Sequence, residues 1–418
     1  MMTKQESRAQ PVHHDIAISG AGMIGLTLAL ALARSGLSVH LIDPVDPATH
    51  VSNQDDQRAT AIIRSSWEMF DVLGVAERLG DTASPINAIA VREKQGAKPL
   101  RFDAETGDVM GYMVPNTALI AALLAQIGKE SGISCHFGKT CVARDEHDAG
   151  ATLTLDDGTE LAANVLVIAE GKHSQSLKSD GFSATEWGYD HHAIVATLAH
   201  AHGHDGVAFQ HFLPGGPVAL LPLRDVSDGS DLPRHRSSLV WSMPSEQADG
   251  LMALGARGFC AELARHIGDI TGDVQLAGDR GRFPLTFHNV TNPVRGRTVL
   301  IGDTAHALHP IAGQGFNLGL RDVACFAEIM AEAVRMGLEC GNSDMLQRYS
   351  DWRAGDVTLM ASVTDSLMRI FALPGPLAGL RRTGMQAVGA VEPLRNWLAA
   401  EARGESGNLP RLLQGLAV

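Results

Sequence analysis

Blocks of apolar residues interrupted by glycine are the first pattern along the chain. In "HDIAISGAGMIGLTLALALARSGLSVHLID" (14–43) a short apolar run reaches a glycine turn. Apolar residues at helical spacing follow, then a brief turn and a second apolar run that ends in an acid. This spacing predicts strand, turn, helix and strand, a complete βαβ unit. "NVLVIA" (164–169) and "RTVLIGD" (297–303) predict buried strands, and the second of these runs into "GQGFNLGLRDVACFAEIMAEAV", which opens a long helix. From Asp344 onward apolar residues recur every three or four positions, with breaks at "LPGP" and "VEP", so a helical region closes the chain. The longest apolar runs, "MIGLTLALALA" and "ALIAALLAQIG", are too short to span a bilayer.

Composition narrows the class of protein. With 418 residues, 45% of them hydrophobic, the chain buries a large core in two domains or one elaborated domain. A formal net charge of -13 argues against a nucleic-acid partner, because phosphate binding needs a basic surface. The five cysteines are scattered and form no C-x-x-C, so neither a disulfide framework nor a zinc site is expected. The polar opening "MMTKQESRAQPVHH" does not read as a secretory signal, and a cytoplasmic location is expected.

The two glycine turns carry the candidate chemistry. Gly20 suits the tight turn out of the first strand, Gly22 lets a pyrophosphate approach the backbone, and Gly25 lets the helix pack closely. Asp43 closes the second strand, where it can accept from a ribose hydroxyl. An acid there points to FAD or NAD, rather than NADP, as the tightly held nucleotide. The second turn favours FAD, whose ribityl chain and flavin ring need a further part of the protein. Asp303 ends a buried strand facing such hydroxyls, and the amides around Gly315, Phe316 and Asn317 open a helix toward the flavin edge that becomes negative on reduction.

"GDTAHALHPIAGQGFNLGLRD" (302–322) resembles the second flavin motif of the FAD-dependent aromatic monooxygenases of the para-hydroxybenzoate hydroxylase fold, and within them the ubiquinone-biosynthesis hydroxylases. Thr304 replaces the usual Ala. "QRATAIIRSSWEMFDVLGV" resembles that branch's second FAD segment and "AEGKHSQSLKS" its middle motif, with Glu170 in place of Asp and Lys178 in place of Arg. "VAFQHFLPGGPVALLPL" resembles a substrate-domain strand pair, and "FPLTFHN" the strand returning to the FAD domain.

The resemblance implies an α/β fold: a Rossmann-like FAD-binding domain in three pieces (13–85, 110–180, 295–345), an inserted sheet-rich substrate domain (86–109, 181–294) and a C-terminal helical region (346–418). It implies hydroxylation of an aromatic ring through a flavin hydroperoxide, with O2 and transient NADPH or NADH, and a polyprenylated phenol of ubiquinone synthesis as substrate. The alternatives are a soluble aromatic substrate, a reductase or dehydrogenase that inserts no oxygen, and a binding subunit of a biosynthetic complex. It places Arg58 and Glu170 at the cofactor, Pro310, Gly313 and Gln314 under the flavin, and Phe212, Leu220 and Pro222 in the substrate pocket. His306 and His309 are assigned to orienting the motif's backbone. The five histidines between 191 and 204 read as strand and hairpin-tip residues with no metal role. The stretch 366–382, with Arg369, Arg381 and Arg382, suits a membrane surface or a partner complex.

Overall fold

The computed structural model describes residues 12–53, 56–92, 99–174, 176–227, 229, 231–307, 314–372 and 399–418. The expected βαβ unit forms, with strand Val12–Ser19, helix Met23–Arg34 and strand Val39–Asp43. These strands pair in parallel and belong to an eight-stranded sheet. Glu160–Ile168 lies parallel on the other side of the first strand, then Thr298–Leu300, while Ile133–Phe137 extends the opposite edge. Two distant parts of the chain therefore end side by side. Ile168 pairs with Leu300, which places residues 169–171 next to the turn at Gly302.

Helices Met23–Arg34, Asn116–Ile127 and Gln314–Arg335 cover one face of this sheet with a single apolar core. Leu26, Leu30, Val165, Val323 and Phe326 are fully buried there. Each buried Val, Leu or Phe contributes about 1.5–3 kcal/mol. Leu412 and Leu413, near the end of the chain, join the same core.

A second eight-stranded sheet takes strands from Ala88–Arg92 and Leu100–Asp103, from the region 184–290, and from the short strand His306–Ala307. Helices Ser245–Ala253 and Ala256–Ile267 pack on one of its faces. A small third sheet, Ala59–Ile63, Gly111–Pro115 and Ser84–Ile86, was not read from the sequence. The turn at 201–206 is a connection rather than the expected hairpin tip. It joins Ala184–His200 to Val207–Leu213, which do not pair with one another.

At the first sheet the His14 ring stacks on His40 at 3.8 Å, and His40 hydrogen-bonds His136 at 3.1 Å and the Val12 carbonyl at 3.0 Å. Burial, opposed in part by the Val12 carbonyl and helped by the neighbouring histidines, pulls the His40 pKa down to about 4. A lowered pKa contributes stability that is present above the ordinary value of 6.5 and is lost as pH falls toward 4. Acidification across that window is expected to cost up to about 3 kcal/mol at this site. Urea unfolding at pH 7.5 and 4.5 checks it: His40→Leu should lose clearly less stability than wild type, and equal losses would contradict the assignment.

Candidate active site

The parallel strands end on a cavity of about 660 Å³ that reaches the second and third sheets. Gly20, Gly22, Asp43, Glu170, Asp303, Gly315 and Phe316 all line it. Residues nearly three hundred positions apart in sequence thus share one wall.

Close packing explains the first turn. Gly20 has φ +111°, and a Cβ there would lie 2.4 Å from the Ala169 carbonyl oxygen. A Cβ on Gly25 would lie 1.8 Å from the Gly20 oxygen, so Gly25 sits beneath the turn, outside the cavity wall. Gly22 has open space above it, and the helix it caps receives no side-chain capping bond. The amides of that first turn are left for a ligand, the arrangement that binds phosphate at a helix N-terminus. Asp43 is fixed by the amides of Ala21 at 2.6 Å and Val45 at 2.8 Å.

Glu170 is held from several sides. The hydroxyls of Ser19 and Ser174 each donate to it at 2.6 Å, Ser176 at 2.8 and 2.9 Å, and an Arg144 N–H at 3.4 Å. Its longer side chain ties the loop after residue 170 to the end of the first strand. Thr304, another departure from the family pattern, donates to the Gly171 carbonyl at 3.3 Å and links this loop to the second turn.

Asp303 is different. Its side chain is accessible from the cavity while protein surrounds it elsewhere, and it makes no hydrogen bond among the described residues. This desolvation pushes its carboxyl above the usual value, an effect that His306 and Lys172 offset only in part. The turn behind it is braced by Asp322, which the sequence reading did not single out. One oxygen of Asp322 accepts from the Gly302 amide at 2.8 Å and from His306 Nε2 at 2.7 Å, and the other from Arg353 Nε at 2.6 Å. Burial alone would raise the Asp322 pKa, but His306 and Arg353 outweigh it and hold it below the usual carboxylate value.

Other expected positions fall elsewhere. Arg58 is not in the cavity wall; it is half exposed and pairs with Asp56, two residues away, at 2.7 Å. The Asn317 side chain accepts from the Ile63 amide at 3.1 Å and donates to the Ala61 carbonyl at 2.8 Å, stitching the cofactor-side helix to the third sheet. Pro310, Gly313, His309 and the side chain of Gln314 lie outside the described residues, as do the side chains of Lys178 and of 366–382.

On the second sheet the cavity wall includes Ile89, Ala208, Phe209, Gln210, Pro217, Ala219, Leu221, Val240, Ser242 and Ala307. Leu220 points to the opposite face, into the core beneath the two covering helices, and Pro222 shares its parity along the strand. Phe212 shares the parity of Gln210 but is not in the cavity wall. Ala402, near the end of the chain, also reaches the wall.

This geometry fits FAD: an uncapped helix N-terminus above an open glycine, an acid at the end of the second strand, and a carboxylate at the second turn with no hydrogen bond among the described residues. A protein-family model described as FAD binding domain matches residues 13–362. The chain is 38% identical to ubiquinone hydroxylase UbiL of Rhodospirillum rubrum, over 96% of this chain and 93% of that protein. The chain belongs to the ubiquinone-biosynthesis hydroxylase branch of the FAD-dependent aromatic monooxygenases. It is also 31% identical to 3-demethoxyubiquinol 3-hydroxylase of Escherichia coli, over 89% of this chain and 94% of that protein. Among solved structures, p-nitrophenol 4-monooxygenase PnpA of Pseudomonas putida superposes with a TM-score of 0.78 at 16% identity, covering 96% of this chain and all of that one, and so shares the fold. This monooxygenase carries, among its described residues, no helix long and apolar enough to cross a membrane.

Proposed function

We propose that this FAD-dependent aromatic hydroxylase acts on a polyprenylated phenol of ubiquinone synthesis. The observation that carries the reading is the cavity wall away from the glycine turns, built from Ile63, Ile86, Ile89, Met110, Leu221 and Val240. Such a wall matches a neutral ring with a hydrocarbon tail. No Lys, Arg or His is among the described lining residues, so an aromatic acid meets no counter-ion there.

In this reading Asp43 receives ribose hydroxyls, the first-turn amides after Gly22 hold the pyrophosphate, and Asp303 receives the ribityl chain. Bound FAD supplies electron transfer from NAD(P)H to O2 and delivery of one oxygen atom to the ring, the other leaving as water. Gly315 and Phe316 open a helix whose dipole favours negative charge at the flavin edge. The apolar walls orient the ring and keep water away. The first sheet and its helices form the FAD domain, and the second sheet the substrate domain. A prenylated substrate resides in a membrane, so the protein meets a membrane surface to collect it.

A mass-spectrometric profile of quinones and prenylated phenols in cells lacking the protein tests the substrate. Loss of ubiquinone with accumulation of a prenylated intermediate short of one ring oxygen is expected. Unchanged quinones, in cells with no second enzyme for the step, would retire the ubiquinone reading in favour of a soluble aromatic.

A further inference from the structure

The polar side chains of the cavity wall divide into two groups. Asp43 is occupied by two amides, Thr60 by Asn116 at 2.7 Å, and Glu170 by its serines and Arg144. Asp303, Gln210 and Ser242 have no side-chain hydrogen bond among the described residues. Asp303 lies at the glycine turns; the other two stand on the second sheet.

Gln210 sits in strand Val207–Leu213, directly opposite Ala219, which in turn is opposite Val240. All three line the cavity, as do Ala208 and Leu221. A carboxamide is thus presented from a floor of aliphatic side chains, two of them single methyl groups that leave room for a flat ring. Gln210 is half-buried and faces the cavity without a protein hydrogen bond among the described residues, so its amide is open to a ligand. A carboxamide both donates and accepts and carries no charge, which suits a neutral phenol hydroxyl.

We propose that Gln210 positions the substrate ring by hydrogen-bonding its phenolic hydroxyl. The proposal rests on the functional reading above and adds the residue that sets the ring's orientation. Ser242, two strands away on the same face and buried, lies across the floor from it.

The test compares a short-chain prenylated phenol with its O-methyl ether in FAD-loaded wild type and Gln210→Leu. The readout is the fraction of oxidised NAD(P)H recovered as hydroxylated product, with hydrogen peroxide measured as the remainder. Wild type should couple the phenol at least about tenfold better than the ether, the scale of one lost hydrogen bond. Gln210→Leu should uncouple the phenol and lose that preference. Gln210→Met supports the same comparison should the leucine variant fail to take up FAD. A variant that keeps wild-type coupling and the preference for phenol overturns the role of Gln210 while leaving the functional reading intact. Wild-type enzyme that hydroxylates no prenylated phenol overturns both.

Discussion

Arg353→Leu is expected to lose about 3–5 kcal/mol of folding stability, the usual cost of stranding one member of a buried ion pair. Arg353 and Asp322 are 3% and 1% exposed, and no water can replace the lost partner cheaply. Arg353 also pairs with Asp356, which in turn holds Arg321, so the loss spreads between the helices Ser343–Ala372 and Gln314–Arg335. The same change loosens the Gly302 amide, which Asp322 holds in place. Weaker FAD retention should therefore accompany the lower urea midpoint. A variant within 1 kcal/mol of wild type, on the scale of an exposed pair, would show that the network is not a brace.

The second large effect is at Asp303, where stability and cofactor binding should move in opposite directions. A raised carboxyl pKa contributes stability only below the ordinary value of 3.8, and that contribution is lost as pH rises through the folded value. At neutral pH the ionised Asp303 therefore weighs against the apoprotein, and Asp303→Asn should raise the apoprotein Tm. With the ribityl chain placed on Asp303 as proposed, the charge-assisted hydrogen bonding lost in Asp303→Ala, about 3 kcal/mol, should weaken FAD binding roughly 100-fold. Flavin fluorescence titration and apoprotein melting check the two halves separately. Stoichiometric flavin and full turnover in Asp303→Ala would remove it from the site.

Much of this site was legible because glycine spacing reports backbone geometry directly. The strand–turn–helix–strand of 12–43 stands as read, since only a residue without a Cβ fits against Ala169 at Gly20 or beneath it at Gly25. At the second turn Gly302 has φ +66°, which suits glycine, while residues 308–313 of the motif lie outside the described residues.

Strand parity was not. Residues 207–223 are buried on both faces, one under the helices 245–267 and one toward the cavity, so both parities are apolar and the sequence alone does not choose between them. Leu220 and Pro222 took the helix-covered face, and Ala219 and Leu221 the cavity. The polar pair Gln210–His211 takes one position on each face, with His211 bonded to the His266 carbonyl under the helices, so it did not resolve the parity either. Arg353 escaped notice because an arginine in an amphipathic helix reads as solvated, and its burial depends on Asp322 thirty-one positions earlier. Arg58 was placed by resemblance, whereas a nearby carboxylate, Asp56, takes its guanidinium.

The most direct test of the central claim is turnover of a short-chain prenylated phenol by the purified FAD-loaded enzyme under 18O2. The account predicts one labelled oxygen on the ring for each NAD(P)H productively oxidised, with label absent when the heavy isotope is supplied as water. NAD(P)H oxidation that reduces the substrate and leaves no 18O in the product would contradict it and assign the site to a reductase.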